Sequence, residues 1–193
     1  MTSWFAASAP LLDRCISYGG TQRISALTLS LVATAATIAF QNVFIDLETE
    51  YDAFDPEFEK IVTQAALLLQ TLEAGTKHKP TLAFSFDLGV IPPLYLVVIK
   101  CRNPSIRKRA LQLLKANPRR EGVWDSVTAA ALGTWVSELE EEGLGAEGFI
   151  PEENRVRQAS ISFDLVERKA TMSCWKLNMV TRELVKNKKN ITW

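Results

Sequence analysis

Apolar residues return at every third or fourth position over most of this 193-residue chain, the period of a helix that buries one face. The clearest run is Phe58, Ile61, Val62, Ala65, Leu68, Leu69 and Leu72. It predicts a helix with Asp55 as N-cap, Pro56 at the first position, Glu57 and Glu59 in the first turn and Gly75 as the stop. Three more starts lie close together downstream. Pro92-Pro93 opens a helix to about Cys101 with Leu94, Val97 and Val98 on one stripe, and Asn103-Pro104 caps and opens another to about Ala116 that carries Leu111 and Leu114. Proline is tolerated at these first positions because its missing N–H has no helical partner there. Asn117-Pro118 ends the second helix, since a residue before proline avoids helical angles. Asp125-Ser126 then begins a helix from Val127 to about Glu142 with Ala131, Trp135, Val136 and Leu139 on one side.

The amino-terminal third has a different pattern. Residues 1–18 read as a short helix bearing Trp4, Phe5, Leu11 and Leu12, ended by Gly19-Gly20. From about Thr21 to Glu48 a longer helix is apolar on nearly every face, which predicts a central place with neighbours on several sides. Its stretch Ile24 to Ile45 holds no charge and is long enough to span a bilayer, but Ser25, Thr28, Ser30, Thr34, Thr37, Gln41 and Asn42 interrupt it. A buried helix is the better expectation.

After the glycine-rich stretch Gly143 to Pro151 the period changes from about four to two. Ile161, Phe163 and Leu165, then Ala170, Met172 and Cys174, alternate with polar neighbours and predict a β-hairpin turning near Glu167-Arg168. A lone hairpin is marginal in water, so it is expected to lie on the helices and give Phe163 and Trp175 to the core. The predicted fold class is mainly α, an antiparallel helix array over 1–150 with a β-hairpin over 151–180 packed on it. Residues 181–193, with Arg182, Lys186, Lys188 and Lys189, read as a frayed basic tail. The segment Thr81 to Leu88 reads equally as extended or helical.

Composition alters little. With 47% hydrophobic and 23% charged residues the chain is ordinary globular material, and zero formal net charge makes it a poor polyanion binder as a whole. Cys15, Cys101 and Cys174 are too scattered for a disulfide framework or a zinc site. With no basic start to the amino terminus, this predicts an intracellular protein, cytoplasmic or nuclear, with no membrane span. The sequon Asn190-Ile191-Thr192 is then incidental.

Charge is unevenly placed. Lys100, Arg102, Arg107, Lys108, Arg109, Lys115, Arg119 and Arg120 form a basic stretch, and Glu138, Glu140, Glu141, Glu142, Glu147, Glu152 and Glu153 an acidic one. The two stretches face each other, within the chain or across a dimer, or they are solvated, or the basic one is an anion site. Between the last two central helices runs Arg119-Arg120-Glu121-Gly122-Val123-Trp124-Asp125. Its structural reading has Gly122 in a tight turn, Asp125 as a cap, Trp124 in the core and an arginine tying the loop to a carboxylate. Its catalytic reading sets Glu121, Asp125 and Arg120 round a cleft as acid, base and oxyanion partner, with Asp87 in an apolar wall as a further acid or base. For ligand or anion binding the candidates are Lys100, Arg102, Arg119 and Trp124. Lone His78 has no second metal ligand near it, and Cys101 has no histidine at a catalytic spacing. No cofactor or metal motif is present.

The pieces Gly89-Val90-Ile91-Pro92-Pro93-Leu94, Lys100-Cys101-Arg102-Asn103-Pro104, Arg107 to Leu111 and Pro118 to Asp125 resemble the carboxy-terminal part of the fungal-specific domain of fungal binuclear zinc cluster transcription factors. The acidic-aromatic turn upstream and the hairpin after Ile150-Pro151 look like it too, so the likeness covers roughly Leu27 to Trp175. It implies an all-helical regulatory or interaction region with a protein partner or homodimer, and with room for a small-molecule ligand. The family's zinc module needs six closely spaced cysteines, which this chain lacks, so no direct sequence-specific DNA binding is expected. The chain is either a fragment or a short protein that inherited the tail of that domain. The alternative function is a small cofactor-free isomerase or cyclase of fungal secondary metabolism, working in a pocket between helices.

Overall fold

The structure is a computed structural model and describes residues 2–74, 83–86, 89–145 and 148–192. The described residues form six helices: α1 (Thr2–Tyr18), α2 (Gly20–Gln41), α3 (Asp55–Ala74), α4 (Ile91–Lys100), α5 (Pro104–Ala116) and α6 (Ser126–Glu141). Two short 3-10 segments, Asn42–Phe44 and Glu48–Phe54, bridge α2 to α3. Helices α1, α2 and α3 pack as successive neighbours, while α4 packs on α5 and α6 and reaches back to α3 and α2. A three-stranded antiparallel sheet closes the chain.

Most starts lie where local chemistry puts them. Asn103 Oδ1 accepts from Ser105 N (3.2 Å) and Ile106 N (3.4 Å) with Pro104 opening α5, and Asp125 Oδ1 accepts from Thr128 N (2.8 Å) at the start of α6. Asp55 is different. The 3-10 segment runs directly into α3, so no free helix end needs a cap, and the Asp55 carboxylate accepts instead from Asn103 Nδ2 (3.1 Å).

The expectation of a central α2 is corrected. Leu27, Leu31 and Ile38 are buried against α1 and α3, but Leu29, Phe40, Val43 and Phe44 lie in the open, the last three 66%, 77% and 78% exposed. From Gly20 to Phe44 the segment is long and apolar enough to cross a membrane, with a third of its most apolar window buried. The central place belongs to α4, where Ile91, Leu94, Val97, Val98 and Ile99 are all buried, and to α6, buried through Ala129, Ala130, Leu132, Trp135 and Val136. An all-round apolar pattern marks a helix with neighbours on every side only when those neighbours are present.

A small sheet holds the middle of the chain. Strand β1 (Ala83–Ser85) pairs in parallel with β2 (Arg119–Glu121), which turns at Gly122 into β3 (Trp124–Asp125). Of Thr81 to Leu88, the described part is thus extended. The second sheet is a meander of β4 (Val156–Asp164), β5 (Lys169–Leu177) and β6 (Leu184–Thr192). The frayed tail is corrected here, because β6 pairs with β5 from Leu177↔Leu184 to Lys169↔Thr192. Lys186, Lys188 and Lys189 are the charges of an edge strand, and such charges discourage pairing with another chain. The core assignment of two aromatics is corrected as well. Ala170, Met172 and Cys174 are the buried apolar residues of β5, whereas Phe163 is 53% exposed and Trp175 lies on the opposite face under Lys186, 4.5 Å from the ring centre. Alternation puts Trp175 one residue out of phase with the buried set.

Candidate functional site

Two sites collect the charged side chains that the sequence singled out. The first is a buried hub around Glu140 in the last turn of α6. Glu140 Oε1 accepts from Arg102 Nη2 (2.7 Å) and Val156 N (2.7 Å), and Oε2 from Arg107 Nη2 (2.5 Å). Arg102 also donates to the carbonyls of Lys100 and Val156, and Arg107 to that of Cys101. Glu48 joins from the 3-10 segment before α3. Its Oε1 accepts from Lys100 Nζ (2.6 Å), while Oε2 lies 3.1 Å from Arg102 but out of line for a hydrogen bond. Beside the hub Arg155, with no exposed surface, holds Asp52 with two parallel bonds of 2.6 and 2.8 Å.

Burial raises the Glu140 carboxyl, but Arg102 and Arg107 outweigh it and hold the group below the usual carboxylate range. Burial lowers the Lys100 ammonium against the pull of Glu48. Burial also pushes the Cys101 thiol up to about 12, which leaves it inert at neutral pH. The hub therefore joins α4, α5, α6 and β4 through paired charges. The basic and acidic stretches do meet within the chain, but through Arg102, Arg107 and Glu140, with Glu48 as the acid that local sequence did not reveal.

The second site is the turn from Arg119 to Asp125. Glu121 is buried, and its carboxylate accepts from three successive backbone N–H groups, Gly89 (2.9 Å), Val90 (3.1 Å) and Ile91 (2.9 Å). These are donors at the start of α4, where a negative charge also meets the positive end of the helix. A Cβ on Gly89 would sit 2.8 Å from Glu121 Oε1, so a glycine lets the carboxylate come this close. Arg119 Nε stands 3.0 Å from the same oxygen without hydrogen-bond geometry. Gly122 turns the chain at φ +57°, a left-handed angle suited to glycine. Trp124 is half-buried against Tyr95, ring centres 5.2 Å apart.

The predicted site residues thus separate. Lys100 and Arg102 belong to the hub. Glu121 and Arg119 line a cavity of about 700 Å³ among α2, α3 and the small sheet. Arg120, Trp124 and Asp125 line another of about 830 Å³ between α6 and β4. Asp87 and His78 lie outside the described residues. The arginine expected to tie this turn to a carboxylate is Arg119, beside Glu121, while the two-pronged arginine–carboxylate contact is that of Arg155 and Asp52, a pair that no local pattern announces.

Among known proteins, the aspercryptin biosynthesis cluster-specific transcription regulator atnN of Emericella nidulans is 37% identical over 68 residues. The chain is similar to a fungal transcription regulator over that stretch. The match covers 35% of this chain and 11% of the regulator, so the chain spans about a tenth of that protein's length. No protein-family model and no solved structure matches the chain.

Proposed function

We propose that this chain is a regulatory interaction domain derived from a fungal transcription regulator, acting inside the cell by docking a protein through the outer face of α1 and α2. The observation that carries the reading is the open apolar face of α2 and of the 3-10 segment Asn42–Phe44 that follows it. Leu29, Phe40, Val43 and Phe44 are exposed on a stretch without a single charge, with Leu11 and Tyr18 exposed on α1 beside it, and exposed apolar patches of this kind mark interaction surfaces. A second copy of the chain is the partner the chemistry favours. In a two-fold interface each group near the axis meets its own copy, so an axis on the charge-free stretch of α2 avoids self-repulsion, with the exposed Asp13 and Arg14 of α1 at the rim.

The similarity to the regulator supports the same reading. So does the state of the candidate acids, since Glu121 and Asp125 line separate cavities and each is engaged by backbone N–H groups at a helix start, whereas a cofactor-free isomerase or cyclase would need them together and free to move a proton. A photo-activated benzophenone side chain placed at position 44 tests the docking face. Irradiation is expected to give a covalent dimer whose yield rises with concentration. Monomer at every concentration, or capture of lipid from added vesicles instead of protein, would overturn the proposal.

A further inference from the structure

The cavity between α6 and β4 shares no lining residue with the α1–α2 face. Its floor is Ala129 and Leu132, both buried, and Tyr95, Trp124 and Phe163 bring three aromatic rings to its walls. The Tyr95 hydroxyl donates to the Ala159 carbonyl (3.3 Å), so that ring offers only an apolar surface. Val123, Phe163 and Leu165 form lips that stand exposed in water, and the volume of about 830 Å³ is that of a small-molecule site. Three polar side chains border it: Arg120, Asp125 and Thr128. One Asp125 oxygen accepts the Thr128 N–H at the start of α6, where the helix end offsets part of its charge. Arg120 stands opposite Asp125 across β2 and β3, and its guanidinium is exposed and outside every ion pair found among the described residues.

We propose that this cavity binds a flat aromatic monocarboxylate, its rings laid among Tyr95, Trp124 and Phe163 and its carboxylate on Arg120. Aromatic walls favour planar rings in offset or edge contact. Arginine presents a planar fork that matches a carboxylate. One carboxylate is what the site accommodates, because Asp125 is held at the start of α6, Arg120 is the one cation among the described lining residues, and a second anionic group would lack a partner and meet Asp125. The ligand gives the interaction domain an input separate from its docking face, so failure of either proposal leaves the other standing.

The test titrates the full chain at neutral pH with 2-naphthoate and with its uncharged counterpart 2-naphthalenemethanol, read by calorimetry. Naphthoate is expected to bind about tenfold tighter, the gain of one charge-assisted contact. In Arg120→Gln this preference disappears while the affinity for the alcohol stays. Phe163→Ala is expected to weaken both probes by a similar factor, and both substitutions fall on exposed side chains that leave the circular dichroism unchanged. Equal binding of the two probes by the native chain, a preference that survives Arg120→Gln, binding insensitive to Phe163→Ala, or no binding of either at concentrations on the order of 1 mM would each overturn the site.

Discussion

The hub around Glu140 and the outer face of α2 invert the usual distribution of residues. Charges stand inside, with Glu140, Arg102, Arg107 and Arg155 all buried, and large apolar side chains stand outside at Phe40, Val43 and Phe44. The two inversions have different causes. Inside, every charge is tied to a partner and to backbone groups at a junction of four elements, so the network specifies how α4, α5, α6 and β4 meet. Outside, nothing in the described fold covers the apolar groups, and the proposed docking supplies the cover. A change in the hub should therefore act on stability, and a change on α2 on association.

The largest expected effect breaks the inner half of that comparison. Glu140→Ala leaves Arg102 and Arg107 buried without their carboxylate, which should cost about 3–5 kcal/mol. Urea unfolding followed by circular dichroism measures it, and a loss under about 1 kcal/mol would mean the hub is not what joins these elements. The pH dependence follows from the same group. Glu140 titrates lower in the folded chain than in the unfolded one, so its stabilisation is present above the ordinary carboxylate value of about 4.3 and is lost as pH falls through the lower folded value. Native chain should weaken steeply in that window, and Glu140→Gln should lack that part of the slope.

Smaller effects come from the turn. Glu121→Ala removes the acceptor of three backbone N–H groups, two of them buried, and should cost about 1–3 kcal/mol. Asp125→Ala should cost about 1 kcal/mol as a lost N-cap. At the outer face, Phe40→Glu with Phe44→Glu should change unfolding of the monomer by less than about 0.5 kcal/mol, since these side chains bury little within the chain. A large loss there would mean that α2 leans on contacts the structure does not contain.

What the sequence made legible was local. Asn103-Pro104, Asp125 and Gly122 act within a few residues of themselves, and each is found in the predicted role. The face from Phe58 to Leu69 is likewise the one α3 buries. What it hid was long-range. Glu121 caps a helix that begins 30 residues earlier in the chain, and Glu48 reaches Lys100 across 52. Such pairs carry no spacing rule, because the fold alone brings them together. The misplaced α2 and the misplaced Trp175 share one cause. Hydrophobicity shows that a residue would gain from burial, not that a neighbour is there to bury it. Strand β6 was missed because its lysines and asparagines are depleted in strands generally, and what holds them is the ladder with β5.

Sedimentation equilibrium of the native chain beside the Phe40→Glu, Phe44→Glu variant tests the central claim most directly. The native chain should associate reversibly to a dimer, and the variant should remain monomeric over a concentration range at least tenfold higher, in keeping with the loss of two buried aromatic rings from each subunit. A native chain that is monomeric throughout, or a variant that dimerises as well as the native chain, would contradict the assignment of this face.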